Sequence, residues 1–285
     1  MTLPADVDWN EAWKRQMLAN RGARGGRDCV DFWKSEKDAD RFDARARKYN
    51  WREGRKILKG IELAPGWDVL DIGAGTGTLA IPLAERVRHV TAVEPSPAMM
   101  SRLKKHLSER GPYNVRCVAK RWEDVTPGRD LDPPYDVVIA SFSLGMTDIR
   151  AALTKMDEAS SKHVYIYWFA GTPFWEKNYA ALWKDLHGCP YPGRPQIDCI
   201  YNVLNSMGIR PSISVYSNES VYSYPSPDAA VDDLKDGYQV GDKEQEKLLR
   251  KYILKTFREE GKRLVLRGVS DYAKLWWSKK PANSR

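Results

Sequence analysis

The stretch Val69-Leu70-Asp71-Ile72-Gly73-Ala74-Gly75-Thr76-Gly77 decides the fold of this chain. A short apolar run ends in an acidic residue and opens into a glycine-rich turn, and apolar residues at helical spacing follow over residues 79–84. A strand, a tight glycine loop and a helix start together form the nucleotide-binding element of a doubly wound α/β sheet. A dinucleotide fingerprint would place its third glycine where this chain has Thr78, so the spacing argues against an NAD site.

A second acidic residue, Glu94, stands about twenty residues beyond the loop, at the end of another apolar run. In a doubly wound sheet this offset is expected for an acid that accepts hydrogen bonds from ribose hydroxyls. Ser96 and Pro97 follow directly, and they predict the N-cap and the first residue of a helix. The two acids and the loop therefore predict one nucleotide site at the carboxyl ends of neighbouring strands.

The pattern of an apolar run followed by D-x-G-x-G-x-G resembles motif I of the class I S-adenosylmethionine (SAM) methyltransferases, and the resemblance extends over roughly residues 61–170. It implies an enzyme with SAM as cofactor and a Rossmann-like, seven-stranded, mostly parallel sheet. Helices are expected on both faces, with an antiparallel last strand. The residues that the resemblance assigns to SAM binding are Asp71, Gly73, Ala74, Gly75, Gly77, Glu94, Pro95, Met99, Trp122, Glu123 and Ser141.

The adenine contact is less well defined by the resemblance. Many family members have an acid followed by a small residue after the third strand, whereas this chain has Arg121-Trp122. Either Glu123 or Asp124 is expected to accept the adenine amine, and both also fit solvated loop positions. Beyond the fourth strand, residues 141–146 are small or apolar and fit a wall around the methionine part and the substrate.

Outside the resemblance, we expect an N-terminal helical cap over residues 1–60 and a methyltransferase domain over residues 61–285. A helical insertion is expected at about residues 226–262. The alternative for the cap is plain packing on the flank of the sheet. A loop is expected over 188–198. Short strands are expected at 213–216 and 221–224, which are expected to pair with each other, and at 264–267 and 272–277, of which the last is expected to be the antiparallel strand that closes the sheet. Trp175, Tyr179 and Trp183 follow one helix face and fit either a substrate wall or a core helix.

Asp132-Pro133-Pro134-Tyr135 matches a tetrapeptide of amino-methylating nucleic-acid enzymes, in which it follows strand four. Here it precedes the apolar run of that strand. Because ligands of open α/β sheets bind beyond the carboxyl ends of the strands, we interpret it as a turn at the far edge. None of the four histidines stands where a general base is expected, so no catalytic residue is assigned.

The net charge of +8 is concentrated near the N-terminus. Residues 14–59 contain fifteen Lys and Arg residues against seven Asp and Glu residues, an excess equal to that of the whole chain. Interspersed acids favour a solvated helix face over an RNA-binding surface. The four cysteines show no framework or zinc spacing, which favours a reducing compartment without a bound metal. No membrane span or signal peptide is recognisable, and a cytoplasmic protein is expected.

Two functional hypotheses remain open at this point. The first is methyl transfer to a small molecule or a protein side chain inside a lidded pocket. The second is tRNA or rRNA methylation that uses the basic N-terminal segment. A SAM-binding module without turnover is a third, less favoured reading. The acceptor and the oligomeric state are left unassigned.

Overall fold

The structure is a computed structural model that describes residues 7–111 and 114–279. Residues 280–285 lie outside the described part. The helices are α1 (Trp9–Ala23), α2 (Cys29–Phe32), α3 (Glu36–Lys48), α4 (Arg52–Leu58), α5 (Ala80–Ala84), α6 (Pro97–Arg110), α7 (Ile149–Ala159), α8 (Phe174–His187), α9 (Ile197–Ser206), α10 (Pro227–Leu234) and α11 (Lys243–Thr256). None of these described helices is long and apolar enough to cross a membrane.

The strands form one mixed sheet in the order β3-β2-β1-β4-β5-β8-β6, and β7 pairs with β8. Their bounds are β1 (Asp68–Ile72), β2 (His89–Val93), β3 (Val115–Val118), β4 (Tyr135–Ser141), β5 (Ser160–Phe169), β6 (Ser212–Tyr224), β7 (Arg258–Glu260) and β8 (Arg263–Ser278). Strands β1 to β5 pair in parallel, whereas β7 and β8 are antiparallel. The predicted fold class is confirmed, with seven strands on the main path and the short β7 in addition.

The register of the parallel strands brings their carboxyl ends to one edge. Ile72 pairs with Val93 on one side and with Ala140 on the other, and Ser141 pairs with Tyr167. Strands β1 and β4 are apolar and buried along most of their length, as expected for central parallel strands. Residues that directly follow β1, β2 and β4 therefore meet at the same edge.

The chain divides into two compact units. The core unit comprises Asp28–Trp168, Tyr201–Ile213 and the described residues from Lys274 onward. The accessory unit comprises the described residues up to Arg27 together with Phe169–Ile200 and Ser214–Ala273. The glycine loop and Glu94 belong to the core unit.

Several element boundaries differ from the sequence prediction. The four expected short strands at 213–216, 221–224, 264–267 and 272–277 are parts of two long strands, β6 and β8, because the polar residues and the glycine between them continue the strands. Gly268 lies inside β8, where a Cβ atom would stand 2.0 Å from a ring carbon of Phe174. Helix α9 begins inside the expected loop. The expected helical segment 226–262 contains α10, α11 and the strand β7.

Candidate functional site

The glycine loop is held by backbone hydrogen bonds from the neighbouring strand. The backbone amides of Gly73 and Ala74 donate to the carbonyl of Val93, at 2.8 and 3.0 Å. Gly73 has φ +75°, and a Cβ atom there would stand 2.2 Å from Cβ of Ser143. Gly75 has φ +58° and no heavy atom within 4 Å of its Cβ position. Gly73 is therefore required by packing, and Gly75 borders open space.

Glu94 anchors this loop to the start of α6. The side chain is 6% exposed, and its Oε2 accepts from the amide of Gly75 at 2.9 Å. Its Oε1 accepts from the amide of Ser96 at 2.7 Å, and Ser96 caps α6 through the amide of Met99. Burial raises the pKa of Glu94, and the two amide hydrogen bonds oppose that shift.

Asp71 is the second buried acid at this edge. Burial, reinforced by the charge of Glu94, raises its pKa to about 7, and a hydrogen bond from the backbone of Ala80 opposes the shift. Within the described residues, Asp71 Oδ2 and the buried hydroxyl of Thr76 have no hydrogen-bond partner. Buried polar atoms are usually satisfied in folded proteins. These two atoms therefore mark the loop as a place where a ligand or ordered water completes the hydrogen bonding.

The residues present fit the expected SAM cofactor. Each carboxylate oxygen of Glu94 accepts one backbone amide, and a carboxylate has about four lone-pair sites in total, so acceptor capacity remains for ribose hydroxyls. The backbone at Gly75 is open to a close-lying ligand. The neutral form of Asp71 is favoured by its surroundings, which limits the negative charge buried beside Glu94. The individual SAM contacts of Asp71, Gly73, Ala74, Gly75, Gly77 and Glu94 stay predictions.

Of the other residues assigned to SAM, Met99 is buried in α6 and packs with Ala39 and Ala98. Pro95 lies half-buried between Glu94 and Ser96, and Ser141 ends β4 at the same edge. Pro95 and Ser141 thus lie at the carboxyl edge of the sheet, and the SAM contacts of these three residues also stay predictions.

Trp122 and Glu123 lie in a 3₁₀ turn after β3. The indole N–H of Trp122 donates to the carbonyl of Ala152 in α7 at 3.2 Å, and the ring is 3% exposed. Lys155 Nζ donates to the carbonyls of Trp122 and Glu123, at 2.7 and 3.0 Å. The indole N–H is therefore used inside the fold, whereas the carboxyls of Glu123 and Asp124 are exposed. The choice between these two acids for adenine stays open.

Beyond β4, the backbone takes an uncommon conformation. Phe142 has φ +55° and a side chain that is 36% exposed, and its amide donates to the carbonyl of Tyr167 at 3.0 Å. Ser143 donates to the carbonyl of Ile72 at 2.5 Å, which ties this turn to the glycine loop. Non-glycine residues at positive φ occur often at functional sites. The apolar wall expected from sequence thus begins with an exposed aromatic ring.

The segment Asp28–Ser35, which belongs to the expected N-terminal cap, lies across this edge. In the Asp28–Ser35 segment, Asp28 forms an ion pair with Arg121 after β3 at 2.7 Å, and the carbonyl of Trp33 accepts from Ser96 Oγ at 2.8 Å. Cys29 Sγ lies close to Gly145 beyond β4, at 3.0 Å from the place that a Cβ atom on this glycine would occupy. One short segment therefore contacts the residues that follow β2, β3 and β4.

The remaining sequence motifs lie elsewhere in the core unit. Asp132, Pro133 and Pro134 precede β4, and Asp132 pairs with Arg116 near the start of β3. His106 in α6 contacts Asp43 in α3 at 2.6 Å, and both are buried. In the part of the chain that the structure describes, no group of three or more His, Cys, Asp or Glu residues is arranged as a metal site.

A family match covers the part of the chain that forms this site, and two similar proteins cover most of the chain. Residues 69–162 match the family described as a methyltransferase domain. An uncharacterized protein of Haemophilus influenzae is 26% identical over 250 residues, which are 86% of this chain and 87% of that protein. The structure of the YcgJ protein from Bacillus subtilis has a TM-score of 0.55 at 15% identity, covering 80% of this chain and 98% of that one.

A structure with a bound product is also similar. The magnesium protoporphyrin IX methyltransferase ChlM from Synechocystis PCC 6803, with bound SAH, has a TM-score of 0.50 at 14% identity. The similarity covers 86% of this chain and 96% of that chain. The family match spans the glycine loop, Glu94 and the end of β4, which are the elements that build the site described above.

Proposed function

We propose that this chain, which belongs to the class I SAM-dependent methyltransferases and uses SAM as its cofactor, methylates a small molecule in a covered site. The observation that supports the small acceptor is the Asp28–Ser35 segment across the strand ends. We infer that an acceptor reaches the methyl group beside this segment, which contacts residues that follow β2, β3 and β4. A small or narrow molecule meets this condition more readily than a folded RNA.

Two polar contacts attach the segment, and Cys29 packs close to Gly145 as a third contact. The Asp28–Arg121 ion pair is partly buried, with side chains 15% and 36% exposed. The hydrogen bond from Ser96 to Trp33 joins the segment to the residue that also orients Glu94. Covering elements of this kind exclude water and complete a site when they close over it. That residues 1–60 form a helical cap, and that residues 226–262 are a helical insertion in the methyltransferase domain, stays part of the proposal.

The basic N-terminal segment gives less support to the RNA alternative. Arg55 pairs with Glu85 through both terminal nitrogens, at 2.6 and 2.7 Å. Arg47 pairs with the buried Asp43 at 2.9 Å, and Lys34 pairs with Asp31 at 2.6 Å. Cations that are already engaged by carboxylates on the same surface attract phosphates weakly. These pairs fit the solvated helix face that the interspersed acids predict.

The proposed reaction places few chemical demands on the protein. SAM supplies an electrophilic methyl group on a positively charged sulfur when it is bound. Alignment of two reactants in one site accounts for roughly 7–11 kcal/mol of a barrier, so orientation is the main task. We propose that Glu94 orients the ribose and that the loop at Gly75 lies along the cofactor. A general base is required only for an acceptor that keeps its proton, and none is assigned.

The proposal is tested by following a labelled methyl group from SAM into the fractions of a cell extract. The full chain is incubated with cell extract and SAM labelled on its methyl group, and label is counted in the small-molecule filtrate, the protein precipitate and the purified RNA. We expect label in the filtrate that depends on the chain. Glu94→Ala is the loss-of-function control and Asp132→Ala the matched surface control. Label confined to RNA would overturn the small-molecule assignment in favour of the second hypothesis.

A further inference from the structure

In the accessory unit, the buried carboxylate of Glu176 accepts a hydrogen bond from only one of the three guanidinium nitrogens of Arg194. Arg194 precedes α9, and its Nε donates to Oε1 of Glu176 at 2.7 Å. The backbone amide of Arg194 also faces Oε2 of the same carboxylate, at 3.3 Å. Glu176 lies in α8 and is 1% exposed, whereas the Arg194 side chain is 19% exposed. The guanidinium is therefore held in a fixed place by a group that cannot move toward solvent.

Two aromatic rings lie within cation–π distance of this guanidinium. Its Cζ lies 4.5 Å from the ring centre of Phe169 and 5.6 Å from that of Trp175. Phe169 and Trp175 meet edge to face at 5.5 Å, and Tyr272 lies 5.9 Å from Phe169. Phe169 is buried, whereas Trp175 and Tyr272 are half-buried and keep part of their ring surface accessible. We call these five residues, Phe169, Trp175, Glu176, Arg194 and Tyr272, the Arg194 cluster.

The terminal nitrogens of Arg194 distinguish this cluster from a structural ion pair. Within the described residues, Nη1 and Nη2 of Arg194 have no hydrogen-bond partner, so four of the five guanidinium N–H donors remain available. The ion pair of Arg55 with Glu85 is different, because both terminal nitrogens contact the carboxylate. An arginine that only neutralised Glu176 would gain more from the same two-nitrogen geometry. In Arg194 only Nε contacts Glu176, so the pair of terminal nitrogens is not used by this carboxylate.

We infer that the Arg194 cluster binds the carboxylate of a planar aromatic ligand. A guanidinium fork matches a carboxylate through two parallel hydrogen bonds, and a planar ring attached to it would lie against Trp175 and Tyr272. The cluster lies wholly in the accessory unit, and the inference does not depend on the identity of the methyl acceptor. Two of the aromatic positions considered from sequence, Tyr179 and Trp183, are instead part of a packed group with Tyr191.

Binding of 2-naphthoate to the full chain tests the inference, with neutral 2-naphthamide as the matched probe. Isothermal titration should detect 2-naphthoate, and the amide should bind roughly tenfold more weakly or worse, because it lacks the charge-assisted pair. Arg194→Gln should reduce naphthoate binding by a similar factor and leave the amide unchanged. Arg210→Gln is the control, since that exposed arginine donates only to the backbone carbonyls of Asn205 and Ile209 among the described residues.

Removing Arg194 leaves Glu176 buried without its cation, so two further variants keep the test valid if Arg194→Gln fails to fold. Arg194→Lys preserves a positive charge beside Glu176 but loses the fork, and it should also weaken naphthoate binding. The double variant Glu176→Gln with Arg194→Gln removes both charges and should bind naphthoate and naphthamide equally. Thermal unfolding checks that each variant is folded.

The outcomes separate a binding site from a structural contact. Equal binding of the two probes to the unmodified chain, absence of naphthoate binding at millimolar concentration, or naphthoate binding that Arg194→Lys leaves unchanged would each overturn the inference. A carboxylate that binds and also drives SAH formation is a methyl acceptor, whereas one that binds without SAH formation is a ligand of another kind. Both of these results support the carboxylate site, and neither depends on the small-molecule proposal.

Discussion

The two edges of the parallel sheet in the core unit treat their acidic residues in opposite ways. At the amino edge, Nε and Nη2 of Arg88 donate to the two carboxylate oxygens of Asp68 at 2.9 and 2.5 Å, and this hydrogen bonding lowers the pKa of Asp68. Asp136 there pairs with Lys162 at 2.7 Å. At the carboxyl edge, Asp71 and Glu94 are more deeply buried, and burial raises both pKa values. No Lys or Arg side chain in the described part of the chain pairs with either.

The difference shows which edge the fold completes by itself. A buried carboxylate without a cation is costly, and a protein usually places one where it has a chemical task. At the amino edge, each acid is satisfied by a cation of the same chain. At the carboxyl edge, the acids rely on backbone amides, and one oxygen of Asp71 has no partner within the described residues. The carboxyl edge is therefore the one arranged for a ligand.

The largest effect is expected for Gly73→Ala. A Cβ atom there would overlap Cβ of Ser143, and the residue would also keep a positive φ. Overpacking and backbone strain together should lower the free energy of unfolding by roughly 2–5 kcal/mol. Urea unfolding followed by circular dichroism measures the loss.

Gly66→Ala at the amino edge is the matched control. Gly66 precedes β1 and has open space around its Cβ position. This substitution should change the free energy of unfolding by less than about 1 kcal/mol. If the two variants were equally stable, the close packing of the loop against Ser143 would be wrong.

A pH-dependent effect is expected from Asp71. Its pKa is about 7 in the folded chain, above the ordinary value of 3.8, so the folded state keeps a proton that the unfolded chain releases. Its contribution to stability should therefore fall as the pH rises from about 4 to 7, by at most about 1.4 kcal/mol per pH unit, and then stay constant. Asn cannot titrate, so the stability of the unmodified chain relative to Asp71→Asn should decrease over that range.

Thermal unfolding of the unmodified chain and Asp71→Asn at a series of pH values measures this trend. Asp68 should behave in the opposite way, because a lowered pKa gives stability that is lost as the pH falls through the folded-state value. If the contributions of Asp71 and Asp68 to stability changed with pH in the same direction, the contrast between the two edges would be wrong.

The smallest effect is expected for Asp132→Ala. This residue pairs with Arg116 at the amino edge, and its side chain is 83% exposed. SAM affinity should change by less than about 0.5 kcal/mol, and turnover should remain nearly intact. Calorimetric titration and an assay of SAH formation check both. Loss of turnover in a folded variant would mean that the tetrapeptide Asp132-Pro133-Pro134-Tyr135 takes part in the reaction.

The sequence predicts those features of the site that depend on neighbouring residues. The glycine loop, Glu94 and the Ser96 cap follow from patterns within about thirty residues, and parallel pairing then brings the strand ends together. The turn at Asp132 is predicted at the correct end of β4 for the same reason. Local spacing determines these features, and the structure adds their hydrogen-bond partners.

Contacts over long sequence separations were not predictable in this way. Asp28 and Arg121 are 93 residues apart, and neither residue type nor spacing indicates that they pair. Strand β6 is continuous, whereas the sequence predicts two short strands on either side of the polar residues Ser217, Asn218 and Glu219. These residues are exposed, and polar side chains are compatible with a strand at the end of a sheet. The periodicity of Ile197, Ile200 and Val203 in α9 was a usable signal for that helix.

Calorimetric titration of SAM into the unmodified chain and Glu94→Ala tests the central claim most directly. The carboxylate at the end of β2 should accept hydrogen bonds from the ribose hydroxyls, so its loss should weaken binding by roughly 1.5–3 kcal/mol, about 10- to 150-fold. Circular dichroism checks the fold of Glu94→Ala, and Asp132→Ala should match the unmodified chain. Unchanged SAM affinity in folded Glu94→Ala, or tighter binding of NAD than of SAM to the unmodified chain, would contradict the account.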